Sequence, residues 1–92
     1  DISNLINLQN LSAYYNNLTN IDITNSSSWL SLYLVSNDIS LDTNINNILA
    51  HLVSINFTGY VTLNDGTNAA PTGQGILDVA TLIGNGASVT TN

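Results

Sequence analysis

LQNLSAYYNNLTNI, residues 8–21, is followed by a second segment written on the same spacing. Apolar residues stand at Leu8, Leu11, Ala13, Leu18 and Ile21, with Asn16 set among them. Twenty-one positions on (37 − 16), Trp29, Leu32, Leu34, Asn37 and Ile39 fill the same slots. The match runs outward, with DISN at 1–4 lying over DITN at 22–25. It fails at the far end, where Asp42 takes the slot of Ile21 and Leu41 is the candidate to replace it. A unit this short cannot bury an apolar face alone and gains a core only by lying against its neighbours.

Composition sets the limits on function. Ninety-two residues make one small domain with a thin core. Charged residues are 7% of the chain, against about 25% in ordinary proteins. There is no Lys or Arg, and the net charge is −6. Nucleic-acid binding needs cations to neutralise phosphates, so that class is excluded, and anionic membrane surfaces are disfavoured for the same reason. With no Cys there is neither a disulfide nor a thiolate metal site. No apolar run approaches the roughly 18 residues of a membrane span, and no signal peptide is present. The chain opens on Asp1 without Met, in mid-repeat, as a processed product or the C-terminal piece of something longer would. Lacking Lys and Arg, it offers trypsin-like proteases no cleavage site, which suits an extracellular or surface-exposed setting.

Beyond residue 41 the pattern changes. TNINNILAHLVSI, residues 43–55, places Ile45, Ile48, Leu49, Leu52 and Val53 on one helical face, with Thr43 as the N-cap candidate. Gly59 marks a turn, Tyr60–Leu63 a strand, and Asn64-Asp65-Gly66 a second turn. After the loop TNAAPTGQG, a helix is expected over Ile76–Ile83, stopped by Gly84 and Gly86. Ala87-Ser88-Val89-Thr90 reads as a last strand, Val89 lying over Val61. The organisation expected is two short repeats over 1–41, a helical repeat over 42–66 and a capping repeat over 67–92.

The spacing L-x-x-L-x-L-x-x-N-x-L at 8–18 and 29–39 resembles the leucine-rich repeat. Residues 67–92 look like the C-terminal ending of some bacterial and phage-type members of that family. The resemblance implies an α/β solenoid with one parallel sheet, an extended convex side in the early repeats and helices in the last two. It also implies that Asn16 and Asn37 are ladder residues, burying their amides and bonding the backbone of neighbouring coils.

In such a sheet Leu11, Ala13, Leu32, Leu34, Val61, Leu63 and Val89 point inward, and alternation sends their neighbours out. The outward columns are Asn10, Ser31, Tyr60, Ser88; then Ser12, Tyr33, Thr62, Thr90; then Tyr14, Val35, Asn64, Asn92. Strands ~4.8 Å apart and a step of ~6.7 Å along them set Tyr14, Tyr33 and Tyr60 on a diagonal of ~8 Å steps. Rigid aromatics among hydroxyls suit a protein or carbohydrate ligand, so Tyr14, Tyr33, Tyr60, Ser12, Ser31 and Thr62 are the candidate binding residues. Tyr also packs well in any strand, and ordinary sheet chemistry is the competing reading.

No residue set points to catalysis, a cofactor or a metal. His51 is the only histidine, without Cys or paired carboxylates at ligand spacing. Asp1, Asp22 and Asp42 recur once per repeat, but without a second acidic residue beside each they read as turn aspartates rather than a calcium row. Asn10, Asn17, Asn25 and Asn56 open glycosylation sequons, as many as so Asn-, Ser- and Thr-rich a chain produces by chance. The leading expectation is a non-enzymatic extracellular recognition or adhesion module, on a cell surface or virus particle. The alternative is a capping or stacking segment of a larger solenoid or filament, self-associating through the N-terminal end near Ile2, Leu8 and Leu11.

Overall fold

The computed structural model describes residues 8–92. Asp1, Ile2 and the DISN segment lie outside the described residues. The elements run β1 (Asn10–Ser12), β2 (Ser31–Tyr33), α1 (Asp42–Ser54), β3 (Tyr60–Leu63), α2 (Gln74–Gly84) and β4 (Ser88–Thr91). The chain is a small α/β fold. Its strands form a single parallel sheet in chain order, β1-β2-β3-β4. Leu11 pairs with Leu32, Leu32 with Val61 and Val61 with Val89, which is the alignment the apolar pattern predicts.

The ladder extends past the short strands. Ala13 N donates to Tyr33 O and Tyr15 N to Val35 O, and the next rung repeats this with Leu34 N to Thr62 O and Ser36 N to Asn64 O. Each of the first three strands then leaves the sheet through a residue in left-handed conformation: Tyr15 (φ 57), Ser36 (φ 60) and Asp65 (φ 62). These are uncommon for residues with a side chain, and their recurrence at one level of the sheet marks one turn geometry used three times.

Both helices close in the same way. In α1, Phe57 N donates to Leu52 O and Asn56 N to Val53 O, with Asn56 left-handed (φ 57). In α2, Ala87 N donates to Leu82 O and Gly86 N to Ile83 O, with Gly86 left-handed (φ 101). This crossed pair of bonds, with both apolar residues it joins buried (Leu52 and Phe57, Leu82 and Ala87), is the Schellman ending. It delivers the chain directly into β3 and β4.

The core consists of Ile23, Trp29, Leu32, Leu34, Ile39, Ile45, Ile48, Leu49, Leu52, Phe57, Val61, Leu63, Leu82 and Ala87. The Trp29 indole, fully enclosed, donates Nε1–H to Ile23 O at 2.9 Å. Leu8, Leu11, Ala13, Leu18 and Ile21 are half-buried and pack against this cluster.

Three expectations need correction. Helix α1 begins at Asp42, so Thr43 is inside the first turn; Leu41 holds the cap position, with no side-chain cap bond. Leu41 does not take over from Ile21, since it is 60% exposed. Helix α2 is longer than its apolar run, reaching back to Gln74. Its apolar residues do not all face inward: Ile76, Leu77 and Ile83 are exposed, while Asp78 is buried and accepts a bond from Gln74 Nε2 at 3.0 Å.

Candidate functional site: the outer face of the sheet

The register fixes the outward face. Asn10, Ser31, Tyr60 and Ser88 lie in one row, and Ser12, Tyr33, Thr62 and Thr90 in the next. Tyr14 stands two residues beyond Ser12, and Tyr33 two beyond Ser31, so Tyr14, Tyr33 and Tyr60 are brought onto one diagonal, a step of ~8 Å each. Tyr14 is 50% exposed and Tyr60 61%, with Tyr33 half-buried between them. Ser12 is exposed. Ser31 is not free: it is buried, and its hydroxyl donates to Asn10 Oδ1 at 2.6 Å across to β1. Thr62 is half-buried, and its Oγ1 has no hydrogen-bond partner although the atom is enclosed. No aspartate falls among these rows.

Tyr15, which the alternation leaves unassigned, belongs to the same end of the face. Its left-handed backbone re-aims the side chain, and its ring meets Tyr14 edge-on at a centroid distance of 5.4 Å. That geometry lowers the energy of an exposed aromatic pair by about 1 kcal/mol. Two adjacent tyrosines just before an Asn turn are the signal that points to it.

Asn37 bonds the backbone of a neighbouring segment, and Asn16 does not. Asn37 is fully buried; its Oδ1 accepts from Leu18 N at 3.1 Å, and its Nδ2 donates to Ala13 O at 2.9 Å and Leu34 O at 3.0 Å. Asn16 is exposed and bonds only Ala13 O and Tyr14 O of its own segment. The next rung is Asn68, which accepts from Ile39 N at 3.0 Å and donates to Leu34 O at 3.0 Å. Residues 34 and 39 are thus held by Asn68 as 13 and 18 are held by Asn37. The level with Asn37 is occupied by Gly66, whose left-handed turn delays the amide by two residues. Asn92 continues the series, accepting from Asp65 N and donating to Asn68 O, both at 2.8 Å.

A groove of about 550 Å³ lies between residues 20–24 and the α1 residues Asn47, Ile48, Ala50 and His51. His51 is half-buried, and its Nε2 lies 2.6 Å from Ser26 O. A carbonyl only accepts, so Nε2 carries the proton and is occupied. Across the groove Asp22 accepts from Thr24 N and Thr24 Oγ1. The Thr24 hydroxyl, then its backbone N–H, hold the Asp22 carboxyl below its ordinary value, with a small further pull from His51. Asp42 likewise accepts from the Thr72 hydroxyl at 2.6 Å, a link between α1 and the loop before α2. Among the described residues no three His, Cys, Asp or Glu side chains gather as a metal set, and no helix is long and apolar enough to cross a membrane.

Comparison of the chain with protein-family models, with curated proteins and with solved structures finds no match.

Proposed function

We propose that the chain is a leucine-rich-repeat solenoid segment, and that it is a non-enzymatic recognition or adhesion module, displayed extracellularly, binding a protein or a glycan on its parallel sheet. Three features of the backbone support the solenoid reading: strands paired in chain order, the left-handed exits at Tyr15, Ser36 and Asp65, and the rungs Asn37, Asn68 and Asn92. The observation that carries the functional reading is the uncharged diagonal of Tyr14, Tyr33 and Tyr60, with Tyr14 half exposed and Tyr60 more than half.

The test is binding to a printed array of glycans and of receptor ectodomains. Tyr33→Ala should weaken retained binding at least tenfold, about 1.4 kcal/mol. Leu41→Ala, exposed at the start of α1 and off the sheet, should leave it unchanged. Equal binding by wild type and Tyr33→Ala, with the fold intact by circular dichroism, removes the face from consideration.

A further inference from the structure

We infer that Asn85 is a site of spontaneous deamidation, in which its side-chain amide closes on the backbone nitrogen of Gly86, and that the ending of α2 sets the rate. The inference rests on neither the solenoid reading nor the tyrosine face.

The reactive pair is written in the sequence. A backbone nitrogen reaches the amide carbon of the preceding asparagine most easily when it belongs to glycine, because no Cβ crowds the approach and the backbone turns freely. Asparagine is thermolabile for this reason. The chain is rich in asparagine, yet Asn85-Gly86 is its only Asn-Gly step; elsewhere in the sequence the following residue is Leu, Ile, Phe, Asn, Asp, Ser or Ala. In the reaction a bond forms from Gly86 N to Asn85 Cγ and the Cγ–Nδ2 bond breaks. The amide proton of Gly86 ends on the departing ammonia. Water then opens the five-membered imide at one carbonyl or the other. One opening leaves aspartate at 85; the other leaves isoaspartate, with the main chain rerouted through the side chain.

In the folded chain the attacking nitrogen is in use. Gly86 N donates to Ile83 O, beside Asn85 N to Thr81 O and Ala87 N to Leu82 O, all at 3.0 Å. Asn85 stands at the C-cap with φ −85 and ψ 0, and Gly86 is left-handed at φ 101. The ring closes only after the Gly86–Ile83 bond parts and the Asn85 backbone turns. Leu82, fully buried, and Ala87, 7% exposed, resist that motion. The reaction therefore waits on local opening of the last turn of α2, a motion that needs less free energy than global unfolding. The glycine that allows the helix to end as it does is also the one that makes Asn85 reactive.

The product undoes the ending that guards it. Isoaspartate adds a methylene to the main chain at position 85, so Gly86 N and Ala87 N no longer meet Ile83 O and Leu82 O in register. Strand β4 follows at once: Ser88 N donates to Gly59 O at 2.9 Å, and Val89 pairs with Val61. Either product also sets a carboxylate at the C-terminal end of α2. The last turn of α2 has no basic residue to receive it, and the helix carbonyls repel it.

The test is to age the protein in mildly alkaline buffer and follow its mass. Trypsin has nothing to cut, so a protease that cleaves before aspartate is used; it frees the peptide from Asp78 onward, on which fragmentation places the change. The amide-to-acid mass gain should appear first at Asn85, roughly tenfold more slowly than in the same chain unfolded in urea. Ala87→Gly thins the apolar cover of the ending and should speed the reaction. Ile23→Val, a core change before β2, should lower overall stability and leave the rate alone. Asn85→Gln should remove the first mass gain. In the isoaspartyl product, amide protection of Ser88–Thr91 should be lost, while Asn85→Asp, with a normal main chain, keeps it. A first mass gain at another asparagine, or equal rates in the folded and unfolded chain, would overturn the proposal. So would a rate that follows Ile23→Val as closely as Ala87→Gly, or unaltered β4 protection in the isoaspartyl product.

Discussion

Two polar side chains on the same sheet behave in opposite ways, and each makes a prediction. Asn37 satisfies three backbone groups from two strands without exposing any surface. Asn37→Ala should cost about 2 kcal/mol in urea unfolding, because Leu18 N loses its partner, while Ala13 O keeps the Asn16 amide and Leu34 O keeps that of Asn68. Asn16→Ala, at an exposed site, should change stability by less than about 0.5 kcal/mol. Equal losses at the two positions would mean the ladder does not hold the sheet. Thr62 is the reverse case, an enclosed hydroxyl with no partner. Thr62→Val keeps the shape and removes the polar atom, and should stabilise the fold by about 1 kcal/mol. A loss of stability would show that the hydroxyl is bonded in solution. At this scale the sequence reveals spacing but not exposure. Asn16 and Asn37 share one slot, yet only Asn37 has strands described on both sides of it. Asn68 escapes the pattern because Asp65-Gly66 shifts it two places along the chain.

At the scale of elements, the legible parts were those whose apolar spacing is one-sided. The stripe of α1 and the strands at 11, 32, 61 and 89 are such cases, and the register follows from them. Helix α2 is apolar on both sides, so periodicity could not tell its inner side from its outer; Ile76, Leu77 and Ile83 are exposed while its aspartate, Asp78, is buried. Gly59 reads as a turn residue, but its role is close approach. A Cβ there would lie 1.8 Å from Leu30 O, the carbonyl that accepts from Tyr60 N as β3 begins. Backbone cannot move aside as a side-chain tip can, so Gly59→Ala should destabilise by about 3 kcal/mol and slow amide exchange should be lost first at Tyr60–Leu63. Unaltered protection of β3 would show that the strand seats itself without that contact.

On the scale of the whole molecule, the unusual property is a chain with six aspartates and no Lys or Arg to pair them. Principal extents of 29, 27 and 18 Å set the scale of the separations between charges, and at about 20 Å two like charges repel by about 0.2 kcal/mol in water. Unfolding spreads them apart, so repulsion acts against the native state by a total of order 1 kcal/mol. Screening shortens from about 30 Å at 0.01 M salt to about 3 Å at 1 M, which removes most of that penalty. Raising NaCl across this range at low protein concentration should therefore raise the melting temperature by about 5 °C. A domain held by surface ion pairs would move the opposite way. Sodium chloride is the right salt, because sulfate strengthens apolar burial in any protein and would raise the melting point without reference to charge. Asp38→Asn, which removes one charge while keeping an acceptor for the Thr67 hydroxyl, should reproduce part of the salt effect at 0.01 M and reduce its size. A melting temperature that stays flat or falls with NaCl would show that the aspartates are compensated within the fold.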